Sequence, residues 1–220
     1  MADSLPHLVK PPAHGRPEDA HHILADSSLT DRPIRVLKHG DTFALFDQYG
    51  DVRPGKNGEE GLYHDGTRFL SRLVLELAGA RPFFLSSTIR DDNDQLTVSL
   101  TNPDLCREGR VYLPLGSLHL GVKKFLWHGV CYQELRIENY GTQPAHVGIT
   151  MQFAADFADI YEVRGLKRKA RGEDLEPEVS DGRVTLRYRG LDGVVRRTLL
   201  QFTPHSGFNG LCYLVRTFAG

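Results

Sequence analysis

The densest run of chemistry-bearing side chains is Arg90–Thr97, which reads RDDNDQLT. Hydrolases use paired carboxylates as acid and base, and calcium loops use carboxylates as ligands. Counted from Asp91, a calcium loop of the EF-hand type needs glycine at the sixth position and glutamate at the twelfth, where this sequence has Leu96 and Asn102. Adjacent Asp91 and Asp92 point to opposite faces of an extended backbone, so they cannot form a facing acid pair by themselves. The stretch therefore fits neither template, and a solvent-facing polar turn is the remaining interpretation.

A second carboxylate pair, Asp156 and Asp159, lies three residues apart in FAADFADIYEV. On a helical turn these side chains would project together, whereas on a strand they would point to opposite faces. Aromatic residues surround the pair, namely Phe153, Phe157 and Tyr161. Aromatic rings stack on the C–H faces of sugars while carboxylates bind sugar hydroxyls, so the segment suits a carbohydrate. The alternative interpretation places these aromatic side chains in the core.

A third group of polar side chains surrounds a turn in GLYHDGTRFLSRLVLEL. It consists of Tyr63, His64, Asp65 and Arg68. A hydrolytic triad would need a nucleophile held by the histidine, and no G-x-S-x-G elbow accompanies the nearby hydroxyls. Triad chemistry is therefore not expected from this group. The single tryptophan, Trp127, is either a stacking platform or a core anchor.

The segments that must position these residues alternate between apolar and polar side chains from Ile34 onward, which is typical of half-buried strands. In CYQELRIENYG, Cys131, Leu135 and Ile137 share one face, and the charged residues share the other. The same alternation predicts inward-facing residues in two further segments: Val147, Ile149, Met151 and Phe153, and Val184, Leu186 and Tyr188. Asp-Gly and Asn-Gly pairs, which suit tight hairpin turns, separate the runs. The pattern predicts an all-β fold, a large antiparallel β-sandwich with few or no long helices.

Two segments depart from this pattern. Residues 1–32 show neither the two-residue period of a strand nor the 3.6-residue period of a helix. We therefore expect a flexible tail ahead of a sandwich domain at 33–220. The adjacent His21 and His22 supply at most two ligands, too few for the usual metal site. Residues 164–180 carry a basic run followed by an acidic run, and because these charges cancel, we expect a long solvated loop there rather than a phosphate site.

Length, net charge and cysteine content limit the classes of protein to which this chain can belong. A chain of 220 residues can bury a sizeable core without disulfides or metal. Its net charge of −1, with both signs mixed, does not favour nucleic acid or a membrane surface. Three widely spaced cysteines and no long apolar run predict reduced thiols and a cytoplasmic, soluble protein that binds no metal and no cofactor.

Taken together, several long blocks resemble the N-terminal domain of bacterial glycogen debranching enzymes, the amylo-α-1,6-glucosidase type. The blocks are LKHGDTFALFDQYGDV, GLYHDGTRFLSRLVLEL, FLSSTIRDDNDQLTVSLTNPDL, FLWHGVCYQELRIENYG and FAADFADIYEVRG, in this order. The resemblance covers about residues 34–190. Several long blocks in one order are more specific than any single short motif.

The resemblance implies a supersandwich of the galactose-mutarotase-like type that precedes an (α/α)₆ helical barrel, and the barrel holds the two acids that cleave the glycosidic bond. No helical region of that size follows within these 220 residues, so we expect no catalytic residue in this chain. Its role would be to brace the catalytic domain and to contribute loops to substrate binding or domain docking. The residues expected in that role are Tyr63, His64, Asp65, Arg68, Arg90, Asp91, Asp92, Asn93, Asp156 and Asp159.

The partners implied are an α-glucan (glycogen or maltooligosaccharide), a C-terminal (α/α)₆ catalytic domain, or a second copy of the chain through the exposed sandwich face. A stand-alone carbohydrate-binding module is the alternative function. A self-contained glycoside hydrolase that uses Asp156 or Asp159 is a third, less favoured one.

Overall fold

The alternating segments of the sequence form strands that pair antiparallel throughout the described part of the chain. The computed structural model describes residues 33–53 and 58–204, together with the backbone of 210–219. Of these residues, 59% lie in strands and 2% in helix, which confirms the all-β sandwich. The predicted tail at 1–32, which includes His21 and His22, lies outside the described residues.

The larger layer is an eight-stranded sheet. Its first four strands in chain order are β6 (Phe83–Ile89), β7 (Gln95–Thr101), β10 (Leu118–Trp127) and β11 (Val130–Asn139). The other four are β13 (Glu173–Ser180), β14 (Arg183–Arg189), β15 (Val195–Pro204) and β16 (Gly210–Ala219). Across the sheet the strands follow the order β13-β14-β15-β16-β11-β10-β7-β6.

The facing layer consists of a four-stranded sheet and a two-stranded sheet. The four strands are β1 (Arg35–His39), β2 (Thr42–Phe46), β3 (Gly61–His64) and β4 (Thr67–Leu70). The strands of the pair are β5 (Arg72–Leu77) and β12 (Ile149–Ala154). A small hairpin, β8 (Leu105–Arg107) with β9 (Arg110–Leu113), and one short helix, α1 (Ile160–Val163), complete the described elements.

The core lies between the two layers because each long strand turns every second side chain inward. In β10, Leu118, Leu120, Val122 and Leu126 are buried. They pack in one hydrophobic cluster with side chains from the facing layer such as Leu37 and Phe46. In β11, Cys131 and Leu135 are buried and Ile137 packs against the same cluster, which confirms the predicted inner face of that strand.

Two strand predictions need correction. Alternation predicts that Ile149 faces inward, but it begins β12 with 39% of its surface exposed, whereas Val147, Met151 and Phe153 do pack on the core. Residues 164–180 do not form one long loop, because Glu173–Ser180 is strand β13 at the edge of the eight-stranded sheet. Nearly all of its side chains are exposed, so the strand shows no alternation, and pairing with β14 holds it in place.

No helix within the described residues is long and apolar enough to cross a membrane. Cys131 is buried and Cys106 is exposed, and both are free thiols.

Candidate functional site

Four hairpin turns lie side by side at one end of the sandwich, and we call this group the turn end. The turns are residues 40–41 between β1 and β2, 65–66 between β3 and β4, 90–94 between β6 and β7, and 128–129 between β10 and β11. Asp65, Asn93 and His128 adopt positive φ angles of 45°, 55° and 45° there. Aspartate, asparagine and histidine tolerate this conformation better than most residues, so the sequence suits these tight turns.

Backbone hydrogen bonds join the turns to one another. The amide of Lys38 donates to the carbonyl of Asn93 at 3.0 Å, and the amide of Asp65 donates to the carbonyl of Asp41 at 3.4 Å. The amide of Ile160 donates to the carbonyl of Gly66 at 2.8 Å, which brings the start of α1 to the same end. The structure therefore unites two loops that are 25 residues apart in sequence, those at 65 and 90, into a continuous surface.

The loop RDDND extends from this surface into solvent. Arg90 contacts Asp92 at 3.4 Å and Asp94 at 3.9 Å, and Arg90, Asp91, Asp92 and Asn93 are exposed. A hydrogen bond shared between the two carboxyl groups lowers the pKa of Asp92 and raises the pKa of Asp94. Exposed ion pairs of this kind contribute little to stability, so the fold does not depend on these side chains.

Trp127 follows Leu126, whose amide donates to the carbonyl of Asp94 in this loop at 3.3 Å. The tryptophan is 54% exposed, so it is not a core anchor. Its ring centroid lies 4.7 Å from that of His39 and 4.8 Å from that of His128. The amide of His128 also donates to Nδ1 of His39 at 3.4 Å, which links the two histidines. The result is an exposed aromatic cluster at the turn end, of the type that stacks on sugars or packs against a protein partner.

Tyr63 and Arg68 are directed towards the interior instead, and the partly exposed Asp156 pairs with Arg68. The guanidinium of Arg68 donates to both carboxylate oxygens of Asp156, at 3.1 Å from Nε and 2.5 Å from Nη2. Tyr63 is 1% exposed, stacks on Phe43 and donates its hydroxyl to the carbonyl of Glu59 at 2.7 Å. Burial raises the pKa of Tyr63. These contacts link β4 to the segment before α1. Because the polar atoms of this group already have hydrogen-bond partners within the chain, the group has a structural role behind the turn end.

Asp159 caps the short helix. Its carboxylate accepts from the amide of Tyr161 at 2.9 Å, while Glu162 accepts from the amide of Asp159 at 2.8 Å, which completes a capping box. Arg168 contacts Asp159 at 3.2 Å and Glu162 at 3.3 Å. Asp156 and Asp159 both precede the helix rather than share one of its turns, and each accepts hydrogen bonds from neighbouring groups of the chain.

A cavity of about 240 Å³ opens beside this cap. Its charged lining consists of three acids and three arginines: Asp159, Glu162, Asp192, Arg168, Arg171 and Arg196. Thr67 of β4 also lines it, and so do Phe157 and Tyr188, whose ring centroids are 5.5 Å apart in a stacked arrangement. Sequence reasoning identified only Asp159 among the charged residues, because Asp192 resembles an ordinary turn residue and Arg168 and Arg171 lie in a stretch that resembles a solvated loop.

The structure also contains a buried ionic group that the sequence analysis does not predict. Arg81 contacts Asp47 at 2.6 Å and Asp51 at 3.3 Å, and Lys124 nearby is only 2% exposed. Burial raises the pKa of Asp51 to about 6 and lowers the pKa of Lys124. The alternation of β10 contains the signal, since Lys124 lies two residues from each of the buried Val122 and Leu126 and therefore on the same face. The adjoining cavity measures only about 10 Å³, so this group is structural.

Within the described part of the chain, no group of three His, Cys, Asp or Glu side chains could hold a metal ion.

The fold and the turn end together define an all-β sandwich domain whose exposed polar and aromatic side chains cluster at one end. A family model described as the N-terminal domain of some glycogen debranching enzymes matches residues 37–215. The chain belongs to this family, as the order of its sequence blocks predicts. No curated protein matches the sequence.

Proposed function

We propose that this chain is the non-catalytic sandwich domain that braces the helical catalytic domain of a glycogen debranching enzyme, and that its turn end contributes contacts to α-glucan. The observation that carries the proposal is the turn end itself. There, Arg90, Asp91 and Asp92 are exposed beside Trp127, and the fold needs none of these side chains for its core. Such groups suit a polar interface that excludes or orders water around a partner.

The carboxylates support a non-catalytic role. Glycosidases need one carboxyl group that donates a proton and a second that faces it across the sugar. Asp156 is held by Arg68, and Asp159 is held by its helix cap and Arg168. Both of the acids that a self-contained hydrolase would use therefore have structural partners.

The exposed aromatic cluster favours one alternative, a stand-alone carbohydrate-binding module. Trp127 has a large exposed surface next to two histidine rings, and exposed aromatic rings bind sugars by stacking. An autonomous module would bind maltooligosaccharides without any catalytic domain. A bracing domain would form a complex with the (α/α)₆ domain first.

The test replaces Asp91 and Asp92 together by asparagine in an enzyme assembled from this chain and its catalytic domain. Loss of these charges should lower activity on a branched α-glucan by about fivefold or more, because the contacts that they make to the partner or the substrate are weakened. The melting temperature of the isolated chain should fall by less than about 3 °C, since the ion pairs removed are exposed.

The matched control is Asp181→Asn, an exposed aspartate in the turn between β13 and β14 at the opposite end of β14 from the cavity. It should leave activity unchanged. Unaltered activity in the double variant, or a large fall in its melting temperature, would contradict the proposal.

A further inference from the structure

We infer that the cavity between α1 and the turn joining β14 to β15 binds one neutral pyranose unit of an α-glucan chain. This inference rests on the proposed function and assigns a ligand to a part of the surface that lies beside the turn end.

The charge of the lining indicates an uncharged ligand. The three arginines and three acids of the cavity balance, and each arginine has an acidic partner within the chain. Arg196 contacts Asp192 at 2.9 Å, Arg168 contacts Asp159 at 3.2 Å, and Arg171 contacts Asp174 at 3.5 Å. A phosphate or an acidic peptide would have to displace these partners, whereas a sugar hydroxyl can donate to a carboxylate and accept from a guanidinium of an intact pair.

The polar groups are held in position before any ligand arrives. Asp192 accepts from Arg196 at 3.2 and 2.9 Å and from the amide of Val194 at 3.0 Å. The hydrogen bond from Arg196 lowers the pKa of Asp192, so this carboxylate is an acceptor at neutral pH. Glu162 is fixed by the capping box. Preorganised groups lose little side-chain entropy on binding.

Glycine makes room for this arrangement. A Cβ atom at Gly190 would lie 2.4 Å from a carboxylate oxygen of Asp192 and 2.6 Å from Nη1 of Arg196. The ion pair therefore lies directly against the backbone of residue 190, and a side chain there would displace it.

The size and the apolar contacts suit a single sugar ring. The volume of about 240 Å³ lies just below the range of about 300 to 1000 Å³ typical of sites for drug-sized ligands. Leu191 in the lining is 69% exposed and offers an apolar contact for the C–H groups of the ring, while Phe157 and Tyr188, which are 6% and 7% exposed and stack on each other, line the cavity from the core side. Thr67 directly follows the turn at 65–66 and connects the cavity to the turn end, so a longer glucan could run from one to the other.

The experiment titrates the full 220-residue chain with maltotriose and follows backbone amide resonances by NMR. We expect saturable shifts at residues 66–67, 157–162 and 190–196, with a dissociation constant on the order of millimolar. The double variant Asp192→Asn and Glu162→Gln keeps the turn and cap acceptors but removes both charges. It should weaken maltotriose binding about tenfold, while Asp181→Asn should leave binding unchanged.

The other outcomes separate this inference from the proposed function. Shifts confined to residues 90–94 and 127–129, insensitive to the double variant, would overturn the cavity assignment and support glucan contacts at the turn end. Shifts of the cavity residues with inorganic phosphate at equal affinity would overturn the assignment of a neutral sugar. No shift at any maltotriose concentration would overturn the inference, and the bracing role would still be decided by complex formation with the catalytic domain.

Discussion

Individual side chains show which contacts local sequence can reveal and which it cannot. The exposure of Asp91 and Asp92 follows from a charged run between two apolar strands. The pairing of Arg68 with Asp156 joins residues 88 positions apart, and no spacing rule predicts it. Lys124 is an intermediate case, because its position on the inward face of β10 predicts burial whereas its charge predicts exposure.

The buried carboxylate Asp51 should make stability depend on pH. Burial raises its pKa from 3.8 to about 6, and the neighbouring Asp47 adds to this, although Arg81, Lys124 and Arg53 oppose it. The folded state therefore binds the proton more tightly than the unfolded state. The resulting stabilisation is fully present below pH 3.8 and is lost as the pH rises through 6.

The measurement is the free energy of unfolding in urea as a function of pH for the wild type and for Asp51→Asn. The difference, wild type minus variant, should fall by at most about 3 kcal/mol between about pH 4 and about pH 7 and then stay level. A difference that rises over this range would show that Arg81 dominates and that the pKa of Asp51 is lowered instead.

Strands and turns are the scale at which the sequence is most informative. β10 and β11 bury nearly every second residue, so alternation alone locates them and their inner faces. Alternation does not reveal β13, because an edge strand with two exposed faces has no apolar side to mark it. The sequence could not predict that the four turns lie side by side, since this depends on how the strands of the two layers are arranged.

The conformation of the Asp65-Gly66 turn leads to a test on glycine. Gly66 has φ of 72° with open space around it, so Gly66→Ala should destabilise the chain by about 1 kcal/mol through backbone strain alone. Gly121 in β10 has an ordinary φ and the nearest contact of an added Cβ would be 3.9 Å away, so Gly121→Ala should be neutral or stabilising by up to about 1 kcal/mol. Urea denaturation compares the two variants, and equal effects would show that strain at the turn is not the cause.

The described part of the chain combines a sandwich core with an end crowded with exposed polar groups. The family match extends over residues 37–215 and therefore includes both layers, the turn end and the cavity. Sequence patterns predicted the sandwich and the loops at 63–68 and 90–93. The cavity could not be predicted from the sequence, because its lining comes from three separate segments, near Thr67, in 157–171 and in 188–196.

Hydrogen–deuterium exchange on this chain, alone and in complex with the (α/α)₆ catalytic domain of a glycogen debranching enzyme, tests the central claim most directly. If the sandwich braces that domain through its turn end, amides at 64–67, 90–94 and 127–129 should exchange more slowly in the complex, while those at 181–182 should not change. Protection confined to the 181–182 turn or to the β13 edge, or the failure of the two domains to form a complex, would contradict the account.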